Sequence, residues 1–154
     1  MKTANNIKEL AELLKAGETQ IKIGFDSCND LYRILLEEYK VDLCDYDISN
    51  WDVSGVTNMF NMFEEAFNFN QNISNWDVSS VTNMSFMFYD ATSFNQDLDN
   101  WNVGKVTDMR YMFCYASKFD KDISKWDVSK VTDMSYMFRH CPIEEGFKPK
   151  GVIK

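Results

Sequence analysis

The sequence has no apolar run approaching 18 residues, a single histidine, no cysteines at CxxC spacing, and no Lys or Arg between Val41 and Gly104. Each scarcity narrows the function. Without a long apolar run no helix spans a bilayer, so membrane insertion is not expected. His140 with the scattered Cys28, Cys44, Cys114 and Cys141 gives too few ligands, wrongly spaced, for structural zinc. A net charge of −8 argues against nucleic acid, whose binders carry basic patches, and against anionic lipid. The charged stretch Met1–Leu14 lacks the apolar core and cleavage site of a signal peptide, so the chain as given is expected in the cytoplasm. There its cysteines are expected as reduced, partly buried thiols, with a Cys28–Cys44 disulfide as the alternative.

What is abundant is repetition. Trp51, Trp76, Trp101 and Trp126 are the only tryptophans and stand 25 residues apart. The text around them recurs: DISNWDVSGVTNM from Asp47, NISNWDVSSVTNM from Asn72, DLDNWNVGKVTDM from Asp97 and DISKWDVSKVTDM from Asp122. A second block follows each, and Met59/Met62, Met84/Met87, Met109/Met112 and Met134/Met137 fall in register. Phe69, Phe94 and Phe119 close three copies; the fourth breaks after Phe138.

In the second copy Ile73-x-x-Trp76-x-Val78 has the opening of a leucine-rich repeat. Trp76 and Val78 share one face of a strand, with Asn75 and Asp77 on the other. Met84, Met87, Phe88 and Ala91 then sit at i, i+3, i+4 and i+7, the stripe of a short helix, with Thr82 or Ser80 as its N-cap. One such unit cannot bury its apolar side alone; stacked units make a continuous core. The expected fold is an α/β solenoid, a leucine-rich-repeat-like right-handed stack of strand–short helix units with a parallel β-sheet. Residues 1–45 read as an N-terminal helix–strand–helix cap, 46–143 as four repeats and 144–154 as a C-terminal tail. In the cap, Ile7, Leu10, Ala11 and Leu14 form a helical stripe ended by Gly17, Ile21, Ile23 and Phe25 alternate as a strand, and Asp26 or Ser27 starts a second helix carrying Leu31, Ile34 and Leu35. The tail offers only Phe147, Val152 and Ile153 as apolar residues. Either it folds over the last Trp layer or the open end pairs with another molecule.

The string F-N-x-D-I-S-x-W-D-V-S-x-V-T-x-M-S-x-M-F, recurring across residues 47–143, resembles the BspA-like leucine-rich repeat family, in its mycoplasmal and bacterial surface-lipoprotein branch. The resemblance implies a right-handed parallel solenoid, bacterial origin, no enzymatic activity, and roles in adhesion or protein–protein contact, often at the cell surface. It brings no catalytic residues.

No chemistry is expected from the remaining candidates. His140 beside Cys141 is formally a base–nucleophile pair, but sequence neighbours usually point apart. The methionines suit copper(I), yet their spacing with Phe is that of a core. The tryptophans suit sugar stacking only if they face outward. No cofactor or metal is expected. The outward positions Asn50/Asp52, Asn75/Asp77, Asn100/Asn102 and Lys125/Asp127 make polar rows, about 4.8 Å between strands. They read as a soluble sheet face, as a binding face, or as a calcium row lacking the glycine-rich turns of calcium solenoids. Off the stripe, Phe86, Tyr89, Tyr111, Tyr115 and Tyr136 make an aromatic patch of the kind favoured at interfaces, unless they pack between units. Ten Asp/Glu between Val41 and Gly104, against seven Lys/Arg and five Asp/Glu between Lys105 and Arg139, set up a gradient that steers partners or favours head-to-tail self-association. The expected function is a non-catalytic protein–protein interaction scaffold with an unknown protein partner. A surface adhesin or displayed antigen, and a structural protein assembling through its open end, are the alternatives.

Overall fold

The computed structural model describes residues 1–151; Val152 and Ile153 of the tail lie outside the described residues. The chain opens with β1 (Lys2–Ala4), α1 (Ile7–Lys15), β2 (Ile21–Ile23) and α2 (Leu31–Tyr39). β1 and β2 pair in parallel, Lys2 opposite Ile21, so the cap holds a strand not assigned from sequence. Three residues, K-T-A, carry too little alternation to announce one.

α1 forms where the stripe requires it, with Leu10, Ala11 and Leu14 buried. Its first turn is closed reciprocally: the Glu9 N–H donates to Asn6 Oδ1 at 2.9 Å, and the Asn5 N–H donates to the Glu9 carboxylate at 2.8 Å. At its other end Gly17 takes φ +82°. There the N–H groups of Gly17 and Glu18 reach back to the carbonyls of Leu14 and Leu13 at 2.9 and 3.1 Å, a Schellman stop. Gly24 lets β1 lie close beside the chain, since a Cβ there would stand 2.8 Å from Thr3 Cγ2 and 2.9 Å from the Ala4 carbonyl.

α2 does not start at Asp26 or Ser27. Its N-cap is Asp30, in the left-handed region and without a side-chain cap bond. Asp26 and Ser27 serve the first copy instead: the Asp26 carbonyl accepts from the Thr57 N–H at 2.8 Å, and Ser27 aligns in parallel with Asn58. The N–H groups of Cys28, Asp30 and Tyr32 then donate to the carbonyls of Asn58, Phe60 and Met62 at 2.8, 3.2 and 3.0 Å. The cap thus ends in the first rung of a ladder.

That ladder runs through the copies, but not where sequence patterning puts it. The segment expected as a helix, Met84–Ala91, is a chain of turns. Its alternate N–H groups, at Met84, Phe86, Phe88 and Asp90, donate to the carbonyls of Asp108, Arg110, Met112 and Cys114 in the next copy, at 2.8–3.0 Å. Phe86 and Asp90 sit at φ +57° and +54°, which no α-helix accommodates. Single parallel pairings link Asn58, Asn83, Asp108 and Asp133 in succession. Backward bonds complete each joint: the N–H groups of Thr82, Thr107 and Thr132 each donate to the preceding threonine carbonyl at 2.8 Å. The segment expected as a strand, around Trp76–Val78, is instead a pair of turns closed by Trp76 N–H to the Ile73 carbonyl and Val81 N–H to that of Val78. Only the first such segment pairs, Asp52 with Lys22 of β2. The strand-then-helix assignment within each copy is therefore corrected: pairing between copies lies in the second block, and no helix forms there.

The inward residues are those the pattern marks. Met59, Met62, Phe63 and Ala66, with their counterparts in the next two copies, are fully buried. Phe63, Phe88, Phe113 and Phe138 stack at 5.6, 5.4 and 5.8 Å, and Phe69, Phe94 and Phe119 at 6.0 and 6.1 Å. The tryptophans are at most 4% exposed. The indole N–H groups of Trp76, Trp101 and Trp126 donate to the carbonyls of Ile48, Ile73 and Leu98 at 2.9, 3.0 and 2.9 Å. Trp51 Nε1 is buried with no partner among the described residues; no copy precedes it to supply the carbonyl. The tail turns at Glu145–Phe147 and joins the fourth copy through Ile123 N–H to the Phe147 carbonyl at 3.0 Å.

Candidate functional site

One of the two polar rows is committed to the backbone. Asp52, Asp77 and Asp127 each accept the N–H two residues on, at Ser54, Ser79 and Ser129, all at 3.0 Å. Asn102 does the same for Gly104 at 3.1 Å. These are Asx turns, and they produce the bends at which each copy changes direction. Asn50, Asn75, Asn100 and Lys125 remain exposed. A second Asn row, not singled out from sequence, also binds backbone: Asn70 and Asn95 accept the N–H groups of Asn95 and Asp120 one copy on, at 2.9 and 3.1 Å, and Asp120 accepts that of Glu144 at 3.1 Å. Among the described residues no group of three His, Cys, Asp or Glu side chains converges on one point.

Asx bonding sets the acid response. The serine hydroxyls and amides hold the carboxyls of Asp47, Asp52, Asp77, Asp122, Asp127 and Asp133 below the usual range. The Asn5 amide does so for Glu9. Glu64 is shifted the other way, by burial first and then by Glu65 and Asp30. A carboxyl depressed in the folded state adds stability above its unfolded pKa, and that stability is lost as pH falls through the folded value. With seven groups lowered against one raised, the melting temperature is expected to fall steadily below about pH 4.5. Ser79→Ala with Ser129→Ala should flatten that slope. A melting temperature unchanged or rising between pH 5 and 2.5 would contradict it.

The thiols are free. Cys28 is buried and pushed up to about 12 by desolvation and then by Asp26. Desolvation also raises Cys141 to about 11; its Sγ donates to the Phe119 carbonyl at 3.4 Å, while His140 stacks on Tyr115 at 4.8 Å. The adjacent pair therefore turns to different neighbours.

The aromatic candidates converge. Phe86, Tyr111 and Tyr136 form one file, with centroids 4.7 and 5.0 Å apart. Tyr89 and Tyr115 form a second at 5.9 Å, prolonged by His140. The files touch through Phe86–Tyr89 at 5.6 Å and Tyr89–Tyr111 at 6.4 Å. Phe60 extends the first file toward the cap, and the Arg139 guanidinium lies 5.5 Å from the Tyr136 centroid. Phe86, Tyr89 and Tyr111 are half-buried, whereas Tyr115 and Tyr136 are 39% and 55% exposed. The rings pack between copies and also form one outer ridge. Phe86, Tyr111, Tyr115 and Tyr136 all have φ between +55° and +60°, a region costing non-glycine residues roughly 1–2 kcal/mol. Stacking of the rings, about 0.5–1.5 kcal/mol a pair, offsets that cost. The ridge is flanked near the cap by Asp30, Arg33 and Glu37 in ion pairs at 3.3 and 3.6 Å. At its far end Arg110 lies 3.5 Å from Asp108 and 4.0 Å from Asp133.

Residues 31–146 match the family model described as Mycoplasma protein of unknown function, DUF285. The chain belongs to this family. The match covers α2, all four Trp copies and the turn at Glu145. No curated protein and no solved structure matches the chain. Among the described residues no helix is long and apolar enough to cross a membrane.

Proposed function

We propose that this chain is a non-catalytic protein–protein interaction scaffold of bacterial origin, a solenoid of the BspA-like kind whose aromatic ridge is the contact surface. The observation that carries this reading is the ridge itself. Aromatic residues occupy left-handed positions in successive copies, where Asn, as at Asn61, is accommodated with less strain. A fold needing only a turn has no reason to hold tyrosine there. Phe86 on Tyr111 and Tyr115 on His140 lie face to face, which disfavours sugar stacking on those faces, and exposed tyrosine is the side chemistry of protein hot spots. The solenoid reading is supported by the bonds that recur at one-copy intervals, and the bacterial origin by the family's description.

The test is capture of a partner from the source organism by the wild-type chain and two variants. The double variant Tyr89→Ser with Tyr111→Ser is expected to weaken capture by roughly 30-fold, the effect of losing a hot spot of about 2 kcal/mol. Asn75→Ala with Asn100→Ala should leave it unchanged. The reverse pattern would place binding on the polar row and sink the proposal.

A further inference from the structure

The edge presented by the fourth copy differs from those before it. The N–H groups of Met109, Tyr111, Phe113 and Tyr115 donate to Asp133, Ser135, Met137 and Arg139 at 2.8–2.9 Å. Their counterparts one copy on are the N–H groups of Met134, Tyr136, Phe138 and His140, which have no backbone acceptor among the described residues. The apolar surface beside them is uncovered in the same way. Val106, Met109 and Phe113 are fully buried, but Val131, Met134 and Phe138 are only partly so. The tail shields the other half of this end, with Lys148 Nζ 5.7 Å from the Phe138 centroid. Between tail and edge lies a cleft of about 1580 Å³, floored by Trp126, Val128, Met134 and Phe138. At its rim Arg139 has no carboxylate within ion-pair distance among the described residues, whereas Lys148 is paired with Glu145 at 2.8 Å.

We infer that this edge binds an acidic segment of a partner protein folded as a chain of turns like one of the chain's own copies. The spacing of the four N–H groups demands carbonyls at every second residue, as the turn segment of the next copy supplies them at each earlier joint. Half-covered Met134 and Phe138 demand apolar side chains between those carbonyls. Arg139 selects a carboxylate, and the first copy carries Glu64 at the corresponding position with Glu65 beside it. A second intact copy of the chain does not fit. The carbonyls of its first copy, at Asn58, Phe60 and Met62, are already taken by Cys28, Asp30 and Tyr32. This inference differs from the ridge proposal in using backbone groups at the end of the stack, although Tyr136 and His140 belong to both.

The probe is a synthetic peptide of residues 47–71, titrated onto the isotopically labelled full chain while amide exchange is followed by NMR. Before addition, Met137 and Arg139 should be protected by their bonds to Met134 and Tyr136, with Met134, Tyr136, Phe138 and His140 exchanging freely. The peptide is expected to slow those four amides by about tenfold or more. The peptide with Glu64→Lys and Glu65→Lys should bind about fivefold more weakly, and Arg139→Glu in the chain should reverse the preference. Tyr89→Ser with Tyr111→Ser should leave the effect intact, which separates this inference from the ridge. No slowing at the four amides, slowing confined to Phe86, Tyr89 and Tyr111, or concentration-dependent protection without peptide, meaning that the chain pairs with itself, would each overturn it.

Discussion

Trp76→Ala is expected to lower the unfolding free energy by about 3–5 kcal/mol, or roughly 2–4 °C of melting temperature per kcal/mol for a chain of this size. Three losses combine. The ring is 3% exposed, so its removal leaves a cavity inside a close-packed column. Its stack on Trp51, 5.9 Å away and 6° from parallel, disappears, as does its contact with Phe63 at 6.1 Å. Its indole N–H also ties one copy to the one before through the Ile48 carbonyl, so the loss weakens a joint between copies and not only one layer. Trp76→Phe keeps much of the apolar volume and removes the indole bond, and it should recover more than half of the deficit. Equilibrium denaturation with both variants measures this. A midpoint for Trp76→Ala within error of wild type would show that the column does not hold the stack.

Phe88→Ala and Phe138→Ala should differ although they delete the same side chain from the same column. Phe88 is fully buried and lies between Phe63 at 5.6 Å and Phe113 at 5.4 Å. Its truncation is expected to cost about 3–5 kcal/mol. Phe138 stacks on Phe113 alone within the column, at 5.8 Å, and is partly exposed, so its loss should cost about 1–2 kcal/mol. Equal costs would mean that the fourth copy is covered as completely as the second. Urea titrations of the two variants decide it, with the denaturant slope checked for constancy.

The period, the inward residues and much of the cap were legible in the sequence because they depend on hydrophobic spacing. Leu10, Ala11 and Leu14 bury as their stripe requires, and Gly17 ends α1 as a residue free to take positive φ. The local conformation of the copies was not legible, for a physical reason. Met84, Met87, Phe88 and Ala91 satisfy the i, i+3, i+4, i+7 rule of a helix, but a chain of turns with a left-handed residue every fourth position brings the same four residues inward. Only Asn61 and Asp90, residues that tolerate positive φ, hinted at it, and the aromatics at Phe86, Tyr111 and Tyr136 pointed away from it. The ridge was found because it varies among copies against a constant background. The Asx turns carried a readable signal in the recurrent D-x-S and N-x-S triplets, which resemble ordinary surface polarity until the bonds are seen. The Asn70, Asn95 and Asp120 row had none, since its acceptor bonds run between copies.

The backbone bonds between copies connect equivalent atoms at every joint, so the length of the array is separable from its architecture. Excising residues 72–96 would bring the Met59 N–H opposite the Asp108 carbonyl and the Trp101 indole opposite the Ile48 carbonyl, the same partners by type that each has now. Unequal recombination between near-identical 25-residue stretches would therefore yield shorter and longer chains that keep the cap and every joint, while changing how many aromatic rungs are displayed and where copies without Lys or Arg give way to copies that carry them. The length and outer surface of such chains would change by copy number as readily as by point substitution.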